Sequence, residues 1–97
     1  MPPFDPSAID EVIHGRIRLG IMAYLADVEV TDFTTLKTVL SATPGNLSIQ
    51  LRKLEDAGYI AIEKSFMRRK PLTRARITSA GRQAFATYLD AMGKLIG

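Results

Sequence analysis

Thr43-Pro44-Gly45-Asn46-Leu47-Ser48-Ile49-Gln50-Leu51-Arg52-Lys53-Leu54-Glu55-Asp56-Ala57-Gly58-Tyr59-Ile60 is punctuated at both ends and divided lengthwise in between. Thr43 is a good N-cap, and Pro44 suits the first helical position, where no N–H is needed. Gly58 supplies the left-handed conformation common just past a helix C-terminus. At 100° per residue, Leu47, Leu51 and Leu54 fall within about 60° of one another and form a stripe for burial. The opposite side carries Gly45, Asn46, Ile49, Arg52 and Lys53, flanked by Ser48 and Gln50. The spacing predicts a helix over about 44–57. Its inner face packs, and its outer face offers hydrogen-bonding groups to base edges and phosphates.

Downstream the period changes. Tyr59 to Phe66 reads as a strand, Arg68-Arg69-Lys70-Pro71 as a loop tip, and Thr73 to Thr78 as a second strand pairing back. This hairpin, about 59–78, concentrates cations at Lys64, Arg68, Arg69, Lys70, Arg74 and Arg76. A loop tip needs no such residues for packing, and like charges so close repel one another. A polyanionic partner relieves that repulsion. The plainer reading is a charged hairpin that guards its own edges against pairing.

Upstream, Ile9, Val12, Ile13, Ile17, Ile21, Tyr24 and Leu25 recur at helical spacing. They predict a helix from Ser7, as N-cap, to Asp27, broken near Gly15, with His14 and Gly15 at the junction. Val28 to Thr31 suits a small edge strand. Asp32 caps a two-turn helix carrying Phe33, Leu36, Val39 and Leu40, and Ser41-Ala42-Thr43 is a tight connector. After the hairpin, about 79–96 forms a last helix with Ala84, Phe85, Tyr88, Leu89, Met92, Leu95 and Ile96 along one side. The order is helix, helix, helix, strand, basic loop, strand, helix. The fold class expected is mainly α with a small β-hairpin, an α+β helix-turn-helix with a wing, in one domain over 1–97.

Composition narrows the function classes. A chain of 97 residues has room for one modest core. It has no cysteine, which removes disulfides, thiolate zinc sites and cysteine nucleophiles together. His14 stands alone, and with Asp10 and Glu11 it makes a poor metal site, so no metal or cofactor is expected. No Ser/His/Asp arrangement or glycine-rich phosphate loop is recognisable, so an enzyme is not expected. The N-terminus lacks a signal peptide's basic and apolar regions, and no apolar run approaches the ~18 residues of a membrane span. A soluble cytoplasmic protein without a membrane partner is the expectation. The net charge of +3 is mild, but from Arg52 to Arg82 bases far outnumber acids, while acids prevail before Arg52. One part of the molecule can therefore attract a polyanion.

Gly45-Asn46-Leu47-Ser48, Leu51, Leu54-Glu55, Gly58-Tyr59-Ile60, Glu63-Lys64, the basic hairpin, Ile77-Thr78 and Gly81-Arg82 together resemble the short winged-helix regulators related to the MarR and ArsR repressors. The likeness runs over nearly the whole chain. It implies operator binding by the third helix and wing, dimerisation through the terminal helices, and transcriptional regulation, as a repressor. The absent cysteines depart from the ArsR metal sensors and argue against metal sensing. Larger relatives bind ligands between the DNA-reading part and the dimer interface. Here the apolar residues of that region read as plain core, so a small-molecule effector is compatible but not indicated.

The expected contacts to double-stranded DNA are Thr43, Asn46, Ser48, Ile49, Gln50, Arg52, Lys53, Lys64, Arg68, Arg69, Lys70, Arg74 and Arg76. Asn46 and Gln50 can pair with adenine, Arg52 and Lys53 with phosphate or guanine, and Ser48 with either. Ile49 can meet a thymine methyl or simply be one exposed apolar residue. The apolar residues Ile9, Val12, Ile13, Phe85, Tyr88, Leu89, Met92, Leu95 and Ile96 are the expected homodimer interface, with Phe4 packing nearby. Such a dimer would read an inverted repeat. The competing reading is a winged-helix protein-interaction module, which would carry a neutral or apolar wing rather than a cationic one.

Overall fold

A computed structural model describes residues Asp5–Ile96. Among them the chain forms a 3-10 turn (Pro6–Ala8), then α1 (Arg16–Val28), β1 (Val30–Asp32), α2 (Phe33–Leu40) and α3 (Pro44–Asp56). The hairpin strands β2 (Ile60–Met67) and β3 (Lys70–Ile77) follow, and α4 (Ser79–Ile96) closes the order. This is an α+β winged-helix fold: four helices and a three-stranded antiparallel sheet in the order β1-β3-β2. Phe4 lies outside the described residues.

Local chemistry sets the boundaries. Asp32 Oδ1 accepts the Thr35 N–H at 2.7 Å and starts α2. Ser41 ends it in the left-handed region at φ 50°. Thr43 Oγ1 accepts the Asn46 N–H at 3.2 Å, with Pro44 in the first turn of α3. Gly58, at φ 81°, turns the chain out of α3 into β2. The short β1 pairs with Arg74–Arg76 on β3, so β3 is the central strand only near the body. Pro71 lies beyond that pairing, where β3 has one neighbour and a missing N–H is tolerated.

One core sits beneath the sheet. Ile21, Met22 and Leu25 of α1, Leu36 of α2 and Leu47 and Leu54 of α3 are fully buried together. Leu51, Ile60, Ala75, Ile77 and Tyr88 join them. Each such leucine or isoleucine contributes about 1.5–3 kcal/mol by leaving water. Three separate helices and the hairpin base thus share one interior, which fixes the hairpin relative to α3.

The N-terminal segment differs from the helix expected from Ser7. Ser7 does not cap; its own N–H and hydroxyl both donate to Asp5 Oδ1, at 3.0 and 2.7 Å. Asp10 then takes the N–H groups of Val12 and Ile13 at 2.8 and 3.2 Å, which closes a turn instead of a helix. Gly15, extended at φ −148°, is the N-cap of α1. The segment is stitched to the body by Tyr59, whose hydroxyl donates to Asp10 Oδ2, and by His14 Nδ1, 2.9 Å from Tyr88 Oη. The bond to Asp10 holds the Tyr59 hydroxyl protonated above the usual tyrosine range, and burial adds to the effect.

Two further expectations are corrected. The hairpin tip is not the four-residue loop Arg68–Pro71. The strands run on to Met67 and Lys70, which pair across a two-residue turn made by Arg68 and Arg69 alone. Ile13 and Tyr88, expected at a dimer interface, are 0% and 2% exposed in the single chain. They complete the protomer's own core and have no surface to give to a partner.

Candidate nucleic-acid interface

The outer face of α3 is presented by its inner one. Because Leu47, Leu51 and Leu54 are held in the core, Asn46, Ser48, Ile49, Arg52 and Lys53 must face outward, and all are exposed. Ile49 is 57% exposed, an apolar side chain in the middle of a polar face. Gln50 is the exception. It is half-buried and turned along the helix, with its Nε2 donating to Asn46 Oδ1 at 2.9 Å. Thr43 has its hydroxyl oxygen engaged in the cap, leaving its O–H to donate elsewhere. The N-terminus of α3 carries free N–H groups and the positive end of the helix dipole, which favours an anion there.

The pleat of the hairpin sorts the wing cations. Lys64 stands opposite Thr73 and shares a face with Ile62, the face that turns toward α3. Arg74, opposite Glu63, and Arg76, opposite Ala61, share the reverse face. Arg76 is further committed. Its guanidinium lies 3.1 Å from Glu29 and 3.7 Å from Glu63. Arg82 also reaches Glu29, at 3.6 Å, so the acidic residue gathers two cations at the hairpin base. These pairs are open to water and contribute little stability, but they give Arg76 a carboxylate partner already.

Between α3 and the hairpin runs an open groove of about 620 Å³. Phe33, Leu51 and Ile62 form its apolar floor, with Ser48, Arg52 and the acidic Glu55 on the α3 side and Lys64 and Thr73 on the sheet side. Cations therefore stand on both banks. Among the described residues, Arg52, Lys53, Lys64, Arg68, Arg69, Lys70 and Arg74 have no carboxylate within salt-bridge distance. The structure thus brings Ser48, Arg52 and Lys64 around one trough, sets Arg68 and Arg69 at the far tip, and leaves Arg74 and Arg76 behind the sheet.

The tip has two features that composition does not display. Arg68 and Arg69 both have positive φ, 51° and 68°, as a type I′ hairpin turn demands. Beside them Phe66 and Met67 are 77% and 55% exposed. The sequence signal for the second feature was an apolar pair at the distal end of a hairpin, opposite Pro71 and Lys70, too far from the core to be covered. A third residue absent from the sequence reading is Arg18. From α1 it reaches Gln50 Oε1 at 2.5 Å. Its signal in the sequence was weak: it is one of two cations, with Arg16, at the start of a largely apolar helix.

Among the described residues no group of three His, Cys, Asp or Glu could hold a metal ion. No helix there is long and apolar enough to cross a membrane.

A family model described as a winged helix DNA-binding domain matches residues 17–96. An uncharacterized protein of Methanocaldococcus jannaschii is 35% identical over 79 residues, which cover 81% of this chain and 86% of that one. The solved structure of a transcriptional regulator homologue from Pyrococcus horikoshii OT3 superimposes with a TM-score of 0.84 at 31% identity, over 90% of this chain and 86% of that one. NadR in complex with 4-hydroxyphenylacetate gives 0.70 at 19% identity, over 94% of this chain and 69% of that one, a likeness of fold.

Proposed function

The chain belongs to the winged helix DNA-binding domain family, and from that premise we propose that it is a homodimeric transcriptional regulator that binds double-stranded DNA sequence-specifically. It acts as a cytoplasmic repressor by occupying an inverted-repeat operator. On this reading α3 lies in the major groove, where Asn46, Ser48, Ile49 and Gln50 face base edges. Thr43, Arg52, Lys53 and Lys64 contact the flanking backbone, and the backbone runs along the cation-banked groove between α3 and the hairpin. Arg68, Arg69 and Lys70 reach phosphates or the adjacent groove from the tip, with Arg74 at the margin. Arg76, tied to Glu29 and Glu63, is the weakest candidate. No catalytic role and no cofactor are assigned.

One observation carries the reading. The turn Arg68–Arg69 puts two cationic, unbranched residues into left-handed conformations that glycine or asparagine would adopt at less cost, and gives neither a carboxylate partner. Backbone strain retained at an exposed tip points to a role outside the fold. A polyanion is the partner that two adjacent free guanidiniums suit.

The test separates wing from helix. Replacing Arg68, Arg69 and Lys70 together with Ala weakens binding to preferred and random duplexes alike. It also flattens the log–log salt dependence by about 0.9 for each phosphate no longer neutralised. Asn46→Ala acts on the preferred sequence only, at about 1–3 kcal/mol, and leaves the salt slope in place. Leu51→Ala is the control for fold loss, at about 2–5 kcal/mol of stability. Folded wing variants with wild-type affinity and slope would replace this proposal with the protein-interaction module.

A further inference from the structure

Among the described residues, Arg18 is the one cation of another element whose side chain hydrogen-bonds to a side chain of α3. It projects from the first turn of α1 and is half-buried. Its Nε donates to the Val12 carbonyl at 2.5 Å, and its Nη2 lies 3.5 Å from the Glu11 carbonyl. Its Nη1 donates to Gln50 Oε1 at 2.5 Å. The seat requires Gly15. A Cβ on that residue would fall 2.6 Å from Nη2 and 2.7 Å from Cζ, so the guanidinium lies flat against a bare Cα.

A guanidinium donates and never accepts. That fact sets the direction of everything beyond it. Gln50 must turn its carbonyl oxygen to Arg18, so its NH2 faces the other way. That NH2 donates to Asn46 Oδ1 at 2.9 Å, so the Asn46 oxygen is turned along the exposed face of the helix toward Gln50. The Gln50 oxygen is held by Arg18 from the protein side. Gln50 is left with one free N–H, while Asn46 keeps both N–H groups and the second lone pair of its oxygen.

We infer that Arg18 is a positioning residue that fixes the amide polarity of the reading helix, so that Gln50 presents a donor and no free carbonyl. The inference rests on the proposal that α3 reads DNA. An adenine edge needs a side-chain carbonyl and an N–H side by side, one for N6–H and one for N7. With its carbonyl held by Arg18, Gln50 cannot make that bidentate pairing, and the adenine contact expected of it from residue type alone is not the one favoured. Donors suit base positions rich in acceptors: guanine O6 and N7, or thymine O4. Arg18 touches no DNA in this scheme. It determines which base Gln50 chooses.

Two variants displace the guanidinium without altering net charge. In Arg18→Lys a single ammonium replaces the fork and cannot span both carbonyls and Gln50. In Gly15→Ala the arginine itself stays, but the new methyl group occupies its seat. The clashing atoms are the end of a flexible side chain, so the fold is retained. In the free protein, the Gln50 side-chain amide resonances of the wild type are dispersed by the bond to Arg18, and in both variants they move toward the values of a solvated glutamine. Selection from a pool of random duplexes then gives guanine or thymine over adenine at the position read by Gln50. The variants lose this preference by about tenfold, while affinity for random DNA and the salt slope stay the same because no phosphate contact is touched. Gln50 resonances unchanged by either variant, or a base preference unchanged in folded variants, overturns the inference while leaving α3 as the reading helix. A wild-type protein that selects no sequence overturns the reading of α3 itself and this inference with it.

Discussion

Gly81 is where a single methyl group would do most harm. The first turn of α4 crosses the strand entry at Tyr59 so closely that a Cβ at position 81 would stand 2.0 Å from the Tyr59 carbonyl oxygen and 3.1 Å from Ile77 Cγ1. Thr78 draws the two segments together. Its hydroxyl donates to the Gly58 carbonyl at 2.7 Å and accepts the Gly81 N–H at 3.0 Å. The pattern Gly58-Tyr59 with Thr78 and Gly81 is therefore one physical joint, holding the base of the hairpin to α4. Gly81→Ala should lower the unfolding free energy by about 1–3 kcal/mol or more, since the obstacle is backbone and cannot rotate away. Gly45 lies in the first turn of α3 with nothing within 4 Å of its would-be Cβ. Gly45→Ala should raise stability by about 0.5–1 kcal/mol through helix propensity alone. Chemical denaturation of both, read against the wild type, checks the opposite signs. At this scale the sequence was legible wherever the cause was local. Asp32, Thr43 and Gly58 act on residues two or three positions away, and type and spacing suffice to place them. The reasons for Gly81, Arg18 and the Glu29–Arg76 pair are contacts between residues far apart in the chain, which no local pattern encodes.

Among the elements, the hairpin and the N-terminal segment were misread for related reasons. Pro71 and three adjacent cations suggested a wide loop, but β3 beyond Arg74 has no partner on its outer side, so proline costs it no ladder bond. The apolar spacing of Ile9, Val12 and Ile13 suits a helix. Asp10 nevertheless offers its carboxylate to the next N–H groups and wins locally, since a short helix ahead of Gly15 bears a full nucleation cost for few bonds. The wing turn sets two demands in conflict. A type I′ turn favours Asn-Gly, and the protein uses Arg68-Arg69. The double variant Arg68→Asn, Arg69→Gly should therefore be more stable than the wild type, by about 0.5–1 kcal/mol once the freer unfolded chain is counted. The same variant should bind every duplex more weakly, with a salt slope lower by about 1.8 if both arginines meet phosphate. Thermal unfolding and a salt titration on random DNA measure the two effects separately. A variant that gains stability and keeps its affinity would mean that the turn arginines serve neither the fold nor DNA.

Taken whole, the molecule is more extended than its length requires. The radius of gyration is 14.5 Å, against about 12.5 Å for a compact chain of this size. Two parts of the described chain lack cover. The outer hairpin bears exposed Phe66 and Met67, and α4 bears Leu89, Leu95 and Ile96 at 51%, 45% and 83% exposure. The hairpin tip has its proposed partner in DNA. The α4 residues are of another kind: Phe85, Leu89, Met92 and Ile96 follow one another at spacings of four, three and four, the ridge by which two helices interlock. Phe85 and Met92 are only half-buried by their own protomer, so the ridge is unfinished in one chain. A second copy of α4 across a two-fold axis would complete it, with Ile9 and Val12, also half-buried, at its margin. Leu89→Glu should then leave the protomer folded, because that side chain is half in water already, and should shift the protein from dimer to monomer in sedimentation equilibrium at micromolar concentration. Tyr88→Glu, one residue earlier and 2% exposed, should instead unfold the chain. Symmetry extends the consequence to DNA. A two-fold dimer presents two copies of α3 that enter successive major grooves on one side of the duplex, so the preferred site should be an inverted repeat with half-site centres about 10 base pairs apart. Leu89→Glu should bind one half-site much as the wild-type protomer does, yet lack the gain from the second, so that inserting five base pairs between half-sites weakens the wild type and leaves the variant unaffected. A wild type that sediments as a folded monomer, or that binds both spacings equally, would remove the dimer from the mechanism and leave a single winged helix on a single half-site.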